Sequence, residues 1–184
     1  MSFTFQSTTI GAPNITDVSA IAPGTSNLPS TVLEPQLGEI RQGWDVNLGS
    51  AEFIYLKGVA SLAVGDVVSY NALTGATTRW AGTANTGTPL AVAVATPSSS
   101  QYGWFQISGN AITTCSGTVA AGDAAFFSAT ASLKTAGVNG KQVLNCVAAS
   151  ANGATLGTGT SAVTLASTQA VYTINRPFAQ GQVT

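Results

Sequence analysis

Asp66 and Asp123 are the residues of this 184-residue chain that come nearest to a reactive pair. Two carboxylates on opposite walls of a cleft can divide the acid and base or nucleophile roles of glycoside hydrolysis, provided aromatic side chains hold the sugar between them. Their settings argue for a simpler task. Each follows a glycine, in Val64-Gly65-Asp66 and Ala121-Gly122-Asp123, and each precedes an apolar run. Gly65 and Gly122 can adopt positive φ, and Asp66 and Asp123 can accept hydrogen bonds from the N–H groups of their own turns. We therefore read the four residues as two structural turns rather than a catalytic dyad.

The remaining candidates are thinner. Serine and threonine abound, but a hydroxyl nucleophile needs a base within hydrogen-bond reach, and the chain has no histidine. Neither Ser-x-x-Lys nor Gly-x-Ser-x-Gly occurs. The run Asn152-Gly153-Ala154-Thr155-Leu156-Gly157-Thr158-Gly159-Thr160 has the glycines of a phosphate cradle but not its Gly-Lys-Ser/Thr ending, and it reads as a loop between strands. Cys115 and Cys146 form no Cys-x-x-Cys pair. Two small buried thiols suit them better than a disulfide, since the N-terminus shows no export signal. Without histidine they fall short of the about four ligands of a zinc site. Glu34, Glu39, Asp45 and Glu52 lack the alternating spacing of a calcium loop. We expect no cofactor, no metal and no enzymatic activity. Trp104 lies in a strand-like run and reads as core or subunit contact. Trp44 and Trp80 flank turns, where they can meet a partner or stack on a sugar.

The composition points the same way. Six Lys and Arg and seven Asp and Glu amount to 7% of the chain, against about a quarter in ordinary soluble domains. The surface must then be Ser, Thr, Asn, Gln, Gly and Ala, which suits packing against protein. Net charge is −1 and the basic residues are scattered, so phosphate neutralisation, and with it nucleic-acid binding, is not expected. No apolar run reaches the about 20 residues of a spanning helix, and no membrane association is expected. With no export signal visible, synthesis and folding in a cytoplasm are expected.

What must position these residues is a set of short strands. Glu52–Lys57, Asp66–Tyr70, Leu90–Ala95, Tyr102–Ile107, Ala124–Ser128, Ser132–Thr135, Gln142–Val147 and Ala170–Arg176 are β-branched, aromatic or apolar runs bounded by turn residues. Pro177 should stop the last of them, and Asn139-Gly140 between the sixth and seventh is a strong hairpin signal. Residues 61–70 echo residues 117–127 around the two Gly-Asp turns, and each half closes with an aromatic strand. We expect an all-β chain: a single β-barrel or sandwich-like domain over residues 44–184, built from pseudo-repeated β-units. Residues 1–43 carry four of the seven prolines, which exclude helix and central strand. Apolar residues nevertheless recur there. An extended arm results, ordered by lying on its own domain, a neighbouring subunit or a larger partner. Its partner-interface candidates are Phe3, Phe5, Ile10, Ile15, Val18, Ile21, Leu28 and Leu33, together with Trp44 and Trp80 from the domain.

Phe53-Ile54-Tyr55-Leu56-Lys57-Gly58-Val59-Ala60 with Val64-Gly65-Asp66-Val67-Val68, then Pro89-Leu90-Ala91-Val92-Ala93 and Tyr102-Gly103-Trp104-Phe105-Gln106-Ile107-Ser108-Gly109, resembles the head cement (decoration) proteins of tailed bacteriophages. The resemblance spans roughly residues 38–130. It implies an all-β virion protein on the outside of a capsid, a homotrimer whose extended segments grip the major capsid protein and stabilise the shell. The proline-rich arm and the Gly/Thr-rich stretch near 150–163 set this chain apart from a plain member. The alternative reading is a receptor- or glycan-binding β-module of a phage fibre or spike, with Trp44, Trp80 and the loop near Asn152 on the sugar.

Overall fold

A computed structural model describes residues 3–6, 14–23, 35–128, 131–135 and 137–180. These residues are all-β, with fourteen strands, one 3-10 turn at Gly159–Ser161 and no α-helix among them. In chain order the strands are β1 (Thr4–Phe5), β2 (Val18–Ser19), β3 (Ile40–Asp45), β4 (Gly49–Lys57), β5 (Val67–Tyr70), β6 (Thr77–Arg79) and β7 (Thr88–Ala93). They continue with β8 (Tyr102–Thr114), β9 (Ala124–Phe127), β10 (Leu133–Lys134), β11 (Gln142–Ala148), β12 (Thr155–Leu156), β13 (Val163–Thr164) and β14 (Gln169–Ala179). Twelve belong to one antiparallel sheet, and β12 and β13 pair separately.

The long strand β8 organises that sheet. Tyr102–Ser108 pairs with β4, and Ser108–Thr114 pairs with β14. The change of partner falls at Gly109, whose φ is +91°. A Cβ there would lie 3.0 Å from Ala51 Cα and collide with the Ser50 carbonyl, so only glycine lets β4 approach this closely. Gln106, 1% exposed, ties the bend: its side-chain amide donates to the carbonyls of Ser108 (3.1 Å) and Asn110 (2.9 Å). Ser108-Gly109, expected to end a strand, is therefore a bend inside one.

Sharing β8 produces two units of one plan. In the first, β8 pairs with β4 and β7, β7 with β5, and β5 with β6. In the second, β14 pairs with β8 and β11, β11 with β9, and β9 with β10. The echo between residues 61–70 and 117–127 marks β5 and β9 as corresponding strands. Among the described residues the sheet does not close into a continuous barrel. Its β10 end instead returns to the first unit through one parallel bridge, Leu133 with Cys115 just past β8, and through Val67 N–H to Ala131 C=O (2.7 Å).

Three local expectations need correcting. Pro177 does not stop β14: Arg176 takes φ +49° and turns the chain, after which Phe178 and Ala179 pair with Pro89 and Thr88 of β7. Val138-Asn139-Gly140-Lys141 is a turn closed by Lys141 N–H to Val138 C=O (3.0 Å), yet it is no hairpin, because β10 and β11 flank β9 and do not pair with each other. The Gly/Thr-rich stretch folds into the β12–β13 hairpin, pinned where Asn47 Nδ2 donates to the Ser161 carbonyl (2.9 Å).

The sheet bends around three apolar cores. One is shared by the two units, with Trp80, Leu90 and Val92 from the first meeting Phe127, Leu133, Tyr172 and Ile174 from the second. The other two lie on opposite faces of β4, whose Phe53 and Tyr55 point into one and Ile54 and Leu56 into the other. The β3 strand begins before residue 43, the expected limit of the arm. The described arm residues lie on their own domain: β1 pairs with Trp44 and Gly43 of β3, and β2 with Gly103 and Tyr102 of β8. Phe3 and Ile15 are buried in the Phe53 core. Burying such side chains stabilises by about 2 kcal/mol each.

Gly109→Ala is expected to destabilise the fold by about 3 kcal/mol, because positive φ and the β4 backbone both oppose it. Gly117, at φ +79° with nothing within 4 Å of an added Cβ, is the control. Gly117→Ala should cost about 1 kcal/mol. Urea unfolding midpoints compare the two.

Candidate functional site

The Gly65-Asp66 and Gly122-Asp123 turns superimpose in their hydrogen bonds. Asp66 Oδ2 accepts from Ala63 N–H (3.1 Å), and Asp123 Oδ2 accepts from Ala120 N–H (2.8 Å). The Asp66 N–H returns to the Ala63 carbonyl (3.1 Å) and the Asp123 N–H to the Ala120 carbonyl (3.2 Å). Gly65 and Gly122 share a φ of +91°. Each aspartate then accepts through its backbone carbonyl from the neighbouring strand, from Ala93 and Ala148 respectively (2.9 Å each). The difference is burial. Asp66 is 3% exposed and is neutralised by Arg79, whose Nε and Nη2 both stand 2.9 Å from Oδ2. Asp123 is half-buried and joins no ion pair among the described residues, as expected of a carboxylate that keeps water contact.

The other carboxylates of the described residues are similarly occupied. Arg41 pairs with Glu39 (2.6 Å) and Arg176 with Glu52 (3.3 Å). Asp17 accepts from Asn14 N–H, and Asp45 accepts from the N–H groups of Asn47 and Leu48. All three arginines are thus engaged by carboxylates, and Glu34 lies outside the described residues. Among the described residues no three of Cys, Asp and Glu gather into a metal-binding group. Cys115 and Cys146 are free thiols, both against the Trp80 core. Burial pushes the Cys115 thiol up and that of Cys146 up to about 12. Both stay protonated and poorly nucleophilic near neutral pH.

The sequence-selected contact residues separate into four groups. Phe3, Ile15 and Trp80 are buried within the chain, Trp80 tilted against Phe127 at 5.4 Å. Phe5 and Ile21 are half-buried, while Val18 and Trp44 are exposed. Ile10, Leu28 and Leu33 lie outside the described residues. Asn139 is exposed at its turn, and Gly140 is buried beneath it, where its carbonyl accepts from Asn85 N–H (2.9 Å). Asn152 is committed internally, accepting from Val119 N–H (3.1 Å) and donating to the Ser167 carbonyl (2.7 Å). Of the residues suggested for sugar contact, Trp44 remains available. It is 48% exposed beside Val46 in a notch of about 330 Å³ that Thr4, Asn47 and Val163 also line.

Two features of this surface were not apparent from sequence. Leu144 of β11 and Phe178 of β14 are directly paired, and Phe178 is paired in turn with Pro89 of β7. Leu144 and Phe178 are each 40% exposed, so three adjacent strands present one apolar row outward. The other lies under the arm. The Arg41 guanidinium sits 5.7 Å from the Phe5 ring centre and 5.5 Å from that of Trp104, yet its Nη1 and the Trp104 indole N–H are buried without hydrogen-bond acceptors. A buried donor without an acceptor costs about 1–3 kcal/mol. No family profile matches the chain, and no curated protein is similar to it in sequence.

Asp66→Ala should lower stability by about 2 kcal/mol, since it removes a turn acceptor and strands Arg79, while Asp123→Ala should cost about 1 kcal/mol. Equal losses in urea unfolding would refute the burial difference. The raised Cys146 thiol sets a second expectation: the unfolded chain ionises first, so stability is full below about pH 9 and falls toward pH 12. Cys146→Ala should make that alkaline decline shallower.

Proposed function

We propose that this chain is a structural virion protein that binds the outside of a phage capsid as a trimer and stabilises it. The observation that carries this reading is the joint state of its charges and its surface. Every arginine is neutralised within the chain, while Trp44, Val46, Leu144, Val147 and Phe178 stay exposed. Such a surface gives up about 25 cal/mol per Å² of apolar area on burial and desolvates few charges in doing so. Many equivalent copies on a shell then add avidity. The resemblance of residues 38–130 to head cement proteins supports the same conclusion. No enzymatic role is part of it, since the Asp66 and Asp123 carboxylates are taken up by their turns.

The glycan-binding alternative keeps one supporting observation, the exposed Trp44 beside its notch. Trp80 and Asn152 no longer contribute to it.

Deleting residues 1–40 is a poor test, because it would remove Phe3 and Ile15 from the core. Point substitutions on the outer row are better. The purified chain should have a trimer's mass in solution and co-sediment stoichiometrically with expanded heads. Leu144→Ser with Phe178→Ser should weaken that binding at least tenfold while changing stability by about 1 kcal/mol or less. A monomeric mass and no co-sedimentation would sink the proposal. Binding to cells or glycans that is lost with Trp44→Ala would favour the spike reading instead.

A further inference from the structure

We infer that residues 3–6 and 14–19 act as a strap that exchanges between copies of this chain, the strap of one copy seating in the groove of another. The groove is the β3–β4–β8 face lined by Phe53, Tyr55 and Trp104. Phe3 meets Phe53 edge-on at 5.1 Å, Phe5 meets Trp104 likewise at 5.1 Å, and Ile15 is 1% exposed. These contacts are specific, but the backbone attachment is slight. The β1 and β2 strands each have two paired residues, and β3 and β8 are their partners.

Chain length allows the exchange. The strap joins β3 through residues 24–34, so the path from Pro23 to Pro35 can span up to about 40 Å at the extended rise of the chain. A folded chain of this length has a radius of gyration of about 16 Å. That length carries the strap to an adjacent copy's groove, where identical contacts form, while the incoming strap refills the core that its own withdrawal opens. Charge does not oppose it, since Asp17 is the single charged residue among residues 1–23. The seat also has a polar reason to open. Arg41 Nη1 and Trp104 Nε1 lie buried without acceptors beneath Phe5, and both regain water when the strap lifts.

The test uses the full chain alone, without heads, so its result is independent of capsid binding. Thr4 and Trp44 are directly paired and both exposed. Thr4→Cys with Trp44→Cys, in a Cys115→Ala, Cys146→Ala background, is refolded over a range of concentrations, oxidised and run on a non-reducing gel. Exchange predicts disulfide-linked dimers and larger species whose share rises severalfold with concentration. A second measurement needs no engineered thiols. A fluorescent peptide of residues 1–23 should be captured by the wild-type chain and captured severalfold more by Phe5→Ala, whose own strap is weaker. Interchain linkage or peptide capture supports exchange. Intrachain linkage at every concentration together with no capture overturns it.

Discussion

The fold depends on one strand serving two sets of partners. Because β8 closes the first unit and opens the second, its backbone has to change direction midway without losing its ladder. Gly109 permits the change and Gln106 satisfies the carbonyls that it exposes. The second bend follows from the first. For β14 to continue from β8 onto β7, the chain turns at Arg176, and the absence of an N–H on Pro177 leaves no donor stranded there. The three cores are then fixed by which face of each bent strand lies inward.

That geometry also explains the distribution of charge. Bent strands carry tight Gly-Asp corners, and each corner consumes a carboxylate. Where the corner is buried, at Asp66, an arginine is consumed as well. Two of the chain's seven carboxylates are committed in this way. What the chain presents outward is hydroxyl, amide and apolar surface, whose desolvation is cheap.

Much of this was legible in the sequence, for physical reasons that differ by element. The Gly-Asp turns were readable because their chemistry is local: a positive φ and an acceptor for the next N–H suffice. Strands such as Glu52–Lys57 were readable because both faces are buried, which leaves a continuous apolar run. The passage of β14 through Pro177 was not, because it depends on β7 lying beside Phe178. Asn139-Gly140 misled as a hairpin because β9 comes between the strands that it joins in sequence. For the surface, Trp80 looked exposed beside a turn, and it is buried by residues distant in sequence, Phe127 among them. The row of Leu144, Phe178 and Pro89 belongs to three strands far apart in sequence, so no local pattern announces it.

The three tryptophans sit in three different settings: Trp104 under the arm, Trp80 against Phe127, and Trp44 in solvent. The chain therefore carries three optical probes of distinct polarity. Emission from the two interior indoles lies to the blue and is shielded from soluble quenchers, whereas Trp44 emits to the red and is quenched freely. Contact at the β3–β4 turn, departure of the arm and loosening of the core between the two units each leave a separate spectral mark without any added label.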